Sequence, residues 1–438
     1  MRRHPGRTGF VAGLAVGAVV AILVAVALPV LLRDRAGPEP GTLVILSGTD
    51  DGYGGQRQAL IDQWNALGDR PRAEIVPVTG GTDAERDEML VRAQAGGGDV
   101  DIYNLDVPRM AEFVDAGYLR PLDEDRLTDL DGFLENPLNS CRRAGRLWAL
   151  PFNTDAGLLY YRADLVPAAE PPSSWPGIVS WTEKALAGPP PKPPVGGGPA
   201  APAPVAGYTG QFADYEGLTV NALEAIWAAG GDVVDRDGNV VIDSPEARDG
   251  LTRLAVGLGR GNPQIVLPDS TTFKEAEAAQ AFRDGKVVFM RNWPVWYQRF
   301  AGGESGRPPV PFGVTRVPGR SVLGGQNLAV AAHSRHPRAA QELIEFLTSA
   351  RSQQILFERG GFAATREVVY HDQQVRKVYP YADTLLDAVK QARLRPDTRY
   401  YAEFSRVFRE GVRQALANGG QLPAGFSDRL SRALKGVR

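Results

Sequence analysis

The hydrophobic pattern changes period along the chain. "TLVILSG", Thr42 to Gly48, is a short apolar run closed by Ser and Gly. "AEIVPV" and "DVDIYNL" repeat the pattern further on. Each predicts a buried strand. Between them the apolar residues fall at helical spacing. Leu60, Ile61 and Trp64 mark one helix, and Thr82 with Glu85 forms a Thr-x-x-Glu capping signal for a second, ending at Gly96, Gly97 and Gly98. Met110, Phe113, Val114 and Gly117 mark a third after Pro108. Strand alternating with helix predicts an α/β domain with a mostly parallel sheet. Two polar loops, "GTDDG" and "DVPR", follow the first and third strands, where sheets of this kind gather ligands. Turn chemistry and helix capping account for either loop taken alone.

The pattern continues with "LWALPFNTDAGLLYYR", two short runs around a polar hinge, Asn153-Thr154-Asp155. Residues 187–207 are Pro- and Gly-rich and predict an extended, mobile surface loop inserted in the domain. A polar-aromatic loop and a helix ending at Gly230-Gly231 come next. Then follow a hairpin-like "DRDGNVVID", another helix, and a helix–Gly–strand–aromatic unit, "EAEAAQAFRDGKVVFMRNWPVWYQRF". From Pro337 to Gly361 the pattern is amphipathic and helical, with Pro at its start and Gly at its end. The C-terminal hundred residues are mainly helical around an aromatic-basic turn, "RPDTRYYAEF".

One segment breaks the globular pattern. Phe10 to Leu32 is 23 residues without a charge. As a helix it reaches ~34 Å, enough to cross a bilayer core. Arg2, Arg3 and Arg7 precede it, so the positive-inside rule leaves residues 1–9 in the cytoplasm and puts everything after Arg33, the 33–41 spacer included, outside the cell. A cleaved signal peptide, with "AVA" at Ala25 to Ala27 as its site, is the rival; the apolar run continues past that site. The expectation is a single-pass anchor with an extracellular main domain, secreted if the segment is cleaved.

Composition removes several functions. The chain has 438 residues, room for two domains, and a net charge of -2. The first 35 residues carry five Arg and one Asp, so the rest is mildly acidic at -6, which argues against a nucleic-acid partner. Seven Lys against 42 Arg, with abundant Ala, Gly and Pro, suggests a GC-rich, bacterial genome. Cys141 is a single cysteine, so no internal disulfide forms. His333 and His336 have no third ligand nearby, and neither a metal nor another cofactor is expected. There is no nucleophile elbow, P-loop or H-E-x-x-H. The neighbouring carboxylates Asp50-Asp51 and Asp123-Glu124-Asp125 do not make a glycosidase pair, which needs two carboxyls on opposite sides of one bond. No catalytic residue is assigned. What remains is loops rich in amides, carboxylates and aromatics, the groups that meet sugar hydroxyls and stack on sugar rings. Trp293, Tyr208, Tyr215, Asp50, Asp106, Asp155 and Gln211 supply them.

"DVDIYNLDVPRMAEFVDAGYLRPLD", "PFNTDAGLLYYR", "GQFADYEGLTVNALEAIWAAGG", "GKVVFMRNWPVWY" and "GGQNLAV" occur in this order. Together they resemble the extracellular solute-binding proteins of ABC importers, in the maltose-binding-like, carbohydrate-binding branch. The resemblance runs from Thr42 to the C-terminus. It implies two α/β lobes, discontinuous in sequence and joined by crossing segments, with the ligand between them. Residues 42–155 and 322–361 would form the first lobe, and 156–321 and 362–438 the second. It further implies a monomer that binds a small molecule, a sugar or oligosaccharide, delivers it to permease subunits, and does no chemistry. A non-sugar polar solute and a cell-surface glycoside-acting enzyme are the alternatives.

By motif, the resemblance puts Thr49, Asp50, Asp106 and Asp155 on ligand hydroxyls, with Gln211 and Glu216 facing them from the second lobe. Trp293 would be the stacking platform. Gly325, Gln326 and Asn327 would line the cleft, joined by Arg399 and Tyr400. Two departures stand out. Many relatives read Gly-Gly-Trp-Asn, so Gln326 replaces a ring and puts the usual sugar in question. Many are also lipid-anchored through an N-terminal cysteine, which this chain lacks.

Overall fold

The apolar runs close into two separate sheets. The computed structural model describes residues 41–50, 52–191, 200–301 and 310–437. The strands in chain order are β1 (Thr42–Gly48), β2 (Arg72–Val78), β3 (Ile102–Asp106), β4 (Arg142–Arg143), β5 (Arg146–Leu147), β6 (Ala149–Ala156), β7 (Leu158–Arg162), β8 (Ala206–Thr209), β9 (Val287–Asn292), β10 (Phe312–Arg316) and β11 (Leu323–Val330). The first lobe holds the sheet β2-β1-β3-β11-β6, and the second holds β10-β7-β9-β8. The first is parallel only across β2, β1 and β3; β11 enters antiparallel to both β3 and β6. The expected mostly parallel sheet is therefore mixed, because β11 is added by chain returning from the second lobe.

The helices bury the faces that their spacing predicts. Leu60, Ile61 and Trp64 of the helix Gln56–Ala66 are buried in the first core. The helix Glu216–Ala228 is covered on nearly every side, and Phe404 and Phe408 of the helix Tyr401–Ala417 join it in the second core. Some local expectations fail. Thr82 is the first helical residue, not a cap, since Gly81 holds the cap position at φ +88° with no side-chain cap bond. The region 337–361 is two helices, Pro337–Leu347 and Ala350–Gly360, because Ser349 Oγ accepts from Ser352 N–H and starts the second. The Pro/Gly stretch ends earlier than 207: Ala206 and Gly207 belong to buried strand β8, where Gly207 packs against Thr182. Residues 192–199 of that stretch lie outside the described residues. So do the tail 1–9, the segment 10–32 and the spacer through residue 40. Among the described residues no helix is long and apolar enough to cross a membrane.

Three segments pass between the lobes. The first is sharper than the predicted polar hinge. β6 runs straight through Asn153, Thr154 and Asp155, and the break falls at Gly157. A Cβ there would meet the Arg291 Nη2 and Glu224 Oε1 atoms at 2.6 Å, so the residue is glycine for lack of space. The second crossing, Ser321 to Leu323, bonds backbone to backbone with the third at Arg393. The chain after Gly361, expected in the second lobe, first packs behind these crossings. Tyr370, Tyr379, Tyr381, Leu385 and Val389 share a third apolar cluster with Ala156 and Leu323 at the crossings and with Tyr160, Val287 and Met290 of the second-lobe sheet. Beyond Arg393 the chain joins the second-lobe core through Tyr401 and the helix it starts.

Gly325 also has a structural cause. It sits at φ +111°, and a Cβ would fall on the Asn153 carbonyl of β6. Gly325→Ala is expected to destabilise the protein by about 1–2 kcal/mol through the backbone conformation alone, with the contact adding to it. Urea unfolding measures the loss.

Candidate functional site

The edge of the first lobe is a row of polar residues set by strand register. Asp106 ends β3, opposite Gln326 of β11, which in turn lies opposite Asn153 of β6. Residues directly opposite in a ladder share a face, so the three form one row. Arg57, from the helix after β1, reaches into it. Its Nη2 donates to Gln326 Oε1 at 2.6 Å and to Asn153 Oδ1 at 3.4 Å. The guanidinium lies over the Phe362 ring, 4.5 Å from its centroid. Thr49 is exposed in the loop after β1. Asp50 is half-buried and accepts from the Gly52 and Arg57 backbone N–H groups, which ties its carboxylate into the turn.

The second lobe contributes Trp293. It packs against both main cores, which places it where the lobes meet. One face of its ring is covered by the Arg291 guanidinium, 3.8 Å from the centroid. Its edge lies 3.3 Å from where a Cβ on Gly324 would stand, and the Asp155 Cβ is 3.1 Å from the same point. Asp155 and Trp293 are thus brought together over Gly324, whose missing side chain makes the room. Gln211 sits behind them, fully buried. Its Nε2 donates to the Arg291 carbonyl, and its Oε1 accepts from Asn221 and Arg291. That makes Gln211 a support for Arg291, with no face toward solvent.

A third group joins the lobes. Arg395 lies on the third crossing, with its side chain 3% exposed. It donates to both oxygens of Asp106, at 2.8 and 3.3 Å, and to Glu216 Oε1 at 2.9 Å. Glu216 opens the helix Glu216–Ala228 and also accepts from Tyr401 Oη at 2.5 Å and Ser405 Oγ at 2.7 Å. Burial works against the charge on Arg395, but Asp106, Tyr401 and Glu216 outweigh it and raise its pKa above the usual arginine range. Burial first, then the Glu216 charge, push the Tyr401 hydroxyl well above its ordinary value, so it remains a neutral donor. Beside this group, Asp83 of the first lobe pairs with Arg109 of the same lobe and with Arg409 of the second, each at 3.2 Å.

Besides Gln211, this geometry takes four sequence-assigned residues away from the ligand role expected of them. Asn327 is buried, and its amide donates to Ser140 Oγ. Gly325 meets β6 backbone rather than open space. Arg399 and Tyr400 are exposed and stack on each other, with Tyr400 against Gly436. In "RPDTRYYAEF" Arg395, Tyr401 and Phe404 are the buried residues, and Arg395 and Tyr401 are the two that reach the meeting of the lobes. The turn before the helix at Tyr401 sets that phase, and spacing alone did not reveal it. Arg57, Arg109 and Arg395 were missed because the buried surroundings that make an arginine notable arise only from tertiary contacts. Gln326, Asp106, Glu216, Asp155 and Trp293 all come to the meeting of the lobes.

A family model described as bacterial extracellular solute-binding protein matches residues 59–379. The chain belongs to that family. Among solved structures, this solute-binding protein is similar to the maltose-bound MalE3 of T. maritima. The two are 30% identical, the likeness covers 91% of this chain and 100% of that one, and the TM-score is 0.77. The GacH receptor of Streptomyces glaucescens GLA.O, solved unliganded and with acarbose, is 21% identical, covers 91% of this chain and 99% of that one, and has a TM-score of 0.73; at that identity it shows the fold alone. A probable ABC transporter-binding protein of Deinococcus radiodurans is 34% identical over 274 residues. That match takes in 60% of this chain and spans 62% of the Deinococcus protein. The two-lobed α/β architecture is that of the periplasmic binding proteins.

Proposed function

We propose that this solute-binding protein is the extracellular substrate-binding component of an ABC importer, and that it takes a carbohydrate between its lobes. Polar groups from both lobes converge there, and one ring, Trp293, touches both cores. That ring is the observation that carries the reading. An aromatic face stacks on the apolar face of a sugar, while amides and carboxylates answer its hydroxyls. Arg291 covers one face of the indole, so in this reading a ligand stacks on the other. The whole-chain likeness to a maltose-bound protein supports the same class of ligand.

In this reading the protein works as a monomer, binds, closes, and hands the ligand to permease subunits without changing it. Residues 10–32 hold it to the membrane with the lobes outside the cell. Ligand shifts the equilibrium between open and closed lobes by touching both. Trp293→Ala is expected to weaken saccharide binding about tenfold, the scale of a lost aromatic contact. Titration of the full-length protein in detergent, followed by intrinsic fluorescence, measures it. Unchanged affinity would remove Trp293 from the site. An oligosaccharide incubated with the protein is expected to be recovered uncut; shorter products would contradict a binding-only role.

A further inference from the structure

Hydrogen-bonding capacity at the meeting of the lobes is unevenly divided. Arg109 is 3% exposed. Its Nη2 donates to Asp83, while its Nε and Nη1 find no partner among the described residues. Arg395 is 6% exposed, and its Nε is in the same condition. Both guanidinium groups lie near one ring, 5.5 and 5.9 Å from the Tyr401 centroid. Asp106 links them: Arg109 follows it by three residues in the same turn, and Arg395 donates to its carboxylate. A guanidinium only donates, and a buried donor without an acceptor is costly.

The acceptors nearby are engaged. Both Asp106 oxygens meet Arg395, and the Glu216 oxygens meet Arg395, Tyr401 and Ser405. Gln326, in register with Asp106, adds another donor. Its neighbour Arg57 cannot accept, so the amide oxygen must face Arg57 and the NH2 end is left for a ligand. Among the described residues, Asn104 Oδ1, on β3 two residues before Asp106, is a buried acceptor without a partner.

A sugar hydroxyl brings a donor along with its acceptor. A carboxylate brings acceptors alone. We infer that the ligand is an acidic saccharide whose carboxylate sits in the corner formed by Arg109, Arg395 and Gln326, with a ring hydroxyl on Asn104. The inference rests on the carbohydrate reading above. Asp83, Asp106 and Glu216 balance Arg109, Arg395 and Arg409 in formal charge, so the preference comes from directed, charge-assisted hydrogen bonds rather than net attraction.

The test is calorimetry on the full-length protein with uronic-acid mono- and oligosaccharides and their neutral counterparts of matched stereochemistry. The uronide is expected to bind about tenfold tighter or better than its counterpart. Arg109→Gln is expected to bring the two within about threefold of each other, and Arg109→Lys to keep part of the preference. If Arg109→Gln does not fold, the ratio measured on the parent protein decides alone. Neutral saccharides bound as tightly as acidic ones would overturn this inference and leave the carbohydrate reading standing. Binding of neither kind would overturn both.

Discussion

Replacing Glu224 with alanine is expected to lower the free energy of unfolding by about 3–5 kcal/mol, the usual effect of breaking a buried ion pair from one side. Arg291 and Glu224 are paired through two bonds, at 2.8 and 2.9 Å, with side chains 1% and 7% exposed. Burial works against the charge on Arg291, yet Glu224 raises its pKa overall. Without the carboxylate that charge stays buried and unpaired. A second bond goes with it, because Glu224 Oε1 also accepts from the Val322 backbone N–H at the second crossing. The first crossing, Gly157, lies against the same pair. Glu224→Gln keeps an acceptor but loses the charge, and should fall between parent and alanine variant. Urea unfolding reads all three. An alanine variant within about 1 kcal/mol of the parent would show that the pair does not support the crossings. Ligand affinity should drop as well, since Arg291 backs the Trp293 ring.

Arg395→Ala is the second large effect, expected near about 3 kcal/mol. It leaves two carboxylates, one from each lobe, facing each other without their shared cation. The cost stays at the low end because the Asp106 side chain is 20% exposed and keeps some water, while Glu216 keeps Tyr401 and Ser405. The change should also loosen the lobes. Small-angle X-ray scattering should show a larger radius of gyration than for the parent without ligand. Arg399→Ala, four residues on and exposed, should stay within about 0.5 kcal/mol of the parent. Equal effects at the two positions would mean that Arg395 does not tie the lobes together.

The contrast between those two arginines shows what the sequence carried. Strands such as "TLVILSG" and helices such as the one bearing Leu60, Ile61 and Trp64 were legible, because burial on one face imposes a period that composition can express. Five ordered motifs carried the family. Whether a polar residue in a motif faces the cleft or the core was not legible. Gln211 and Asn327 have the chemistry of sugar contacts, yet their amides are engaged inside the protein. Arg395 and Tyr401 were hidden among equally basic and aromatic neighbours, and only the phase of the turn before the helix Tyr401–Ala417 separates them. Gln326 stands between the cases. Its substitution for a ring was visible in the chain, but its bond to Arg57 was not, and that bond decides which end of the amide is offered.

The central claim is that a saccharide binds between the lobes, beside Trp293. Titration calorimetry of the full-length protein against a panel of neutral and acidic saccharides tests it most directly. The account predicts saturable one-to-one binding of at least one of them, weakened by Trp293→Ala. No heat with any saccharide, from protein shown to be folded, would contradict it.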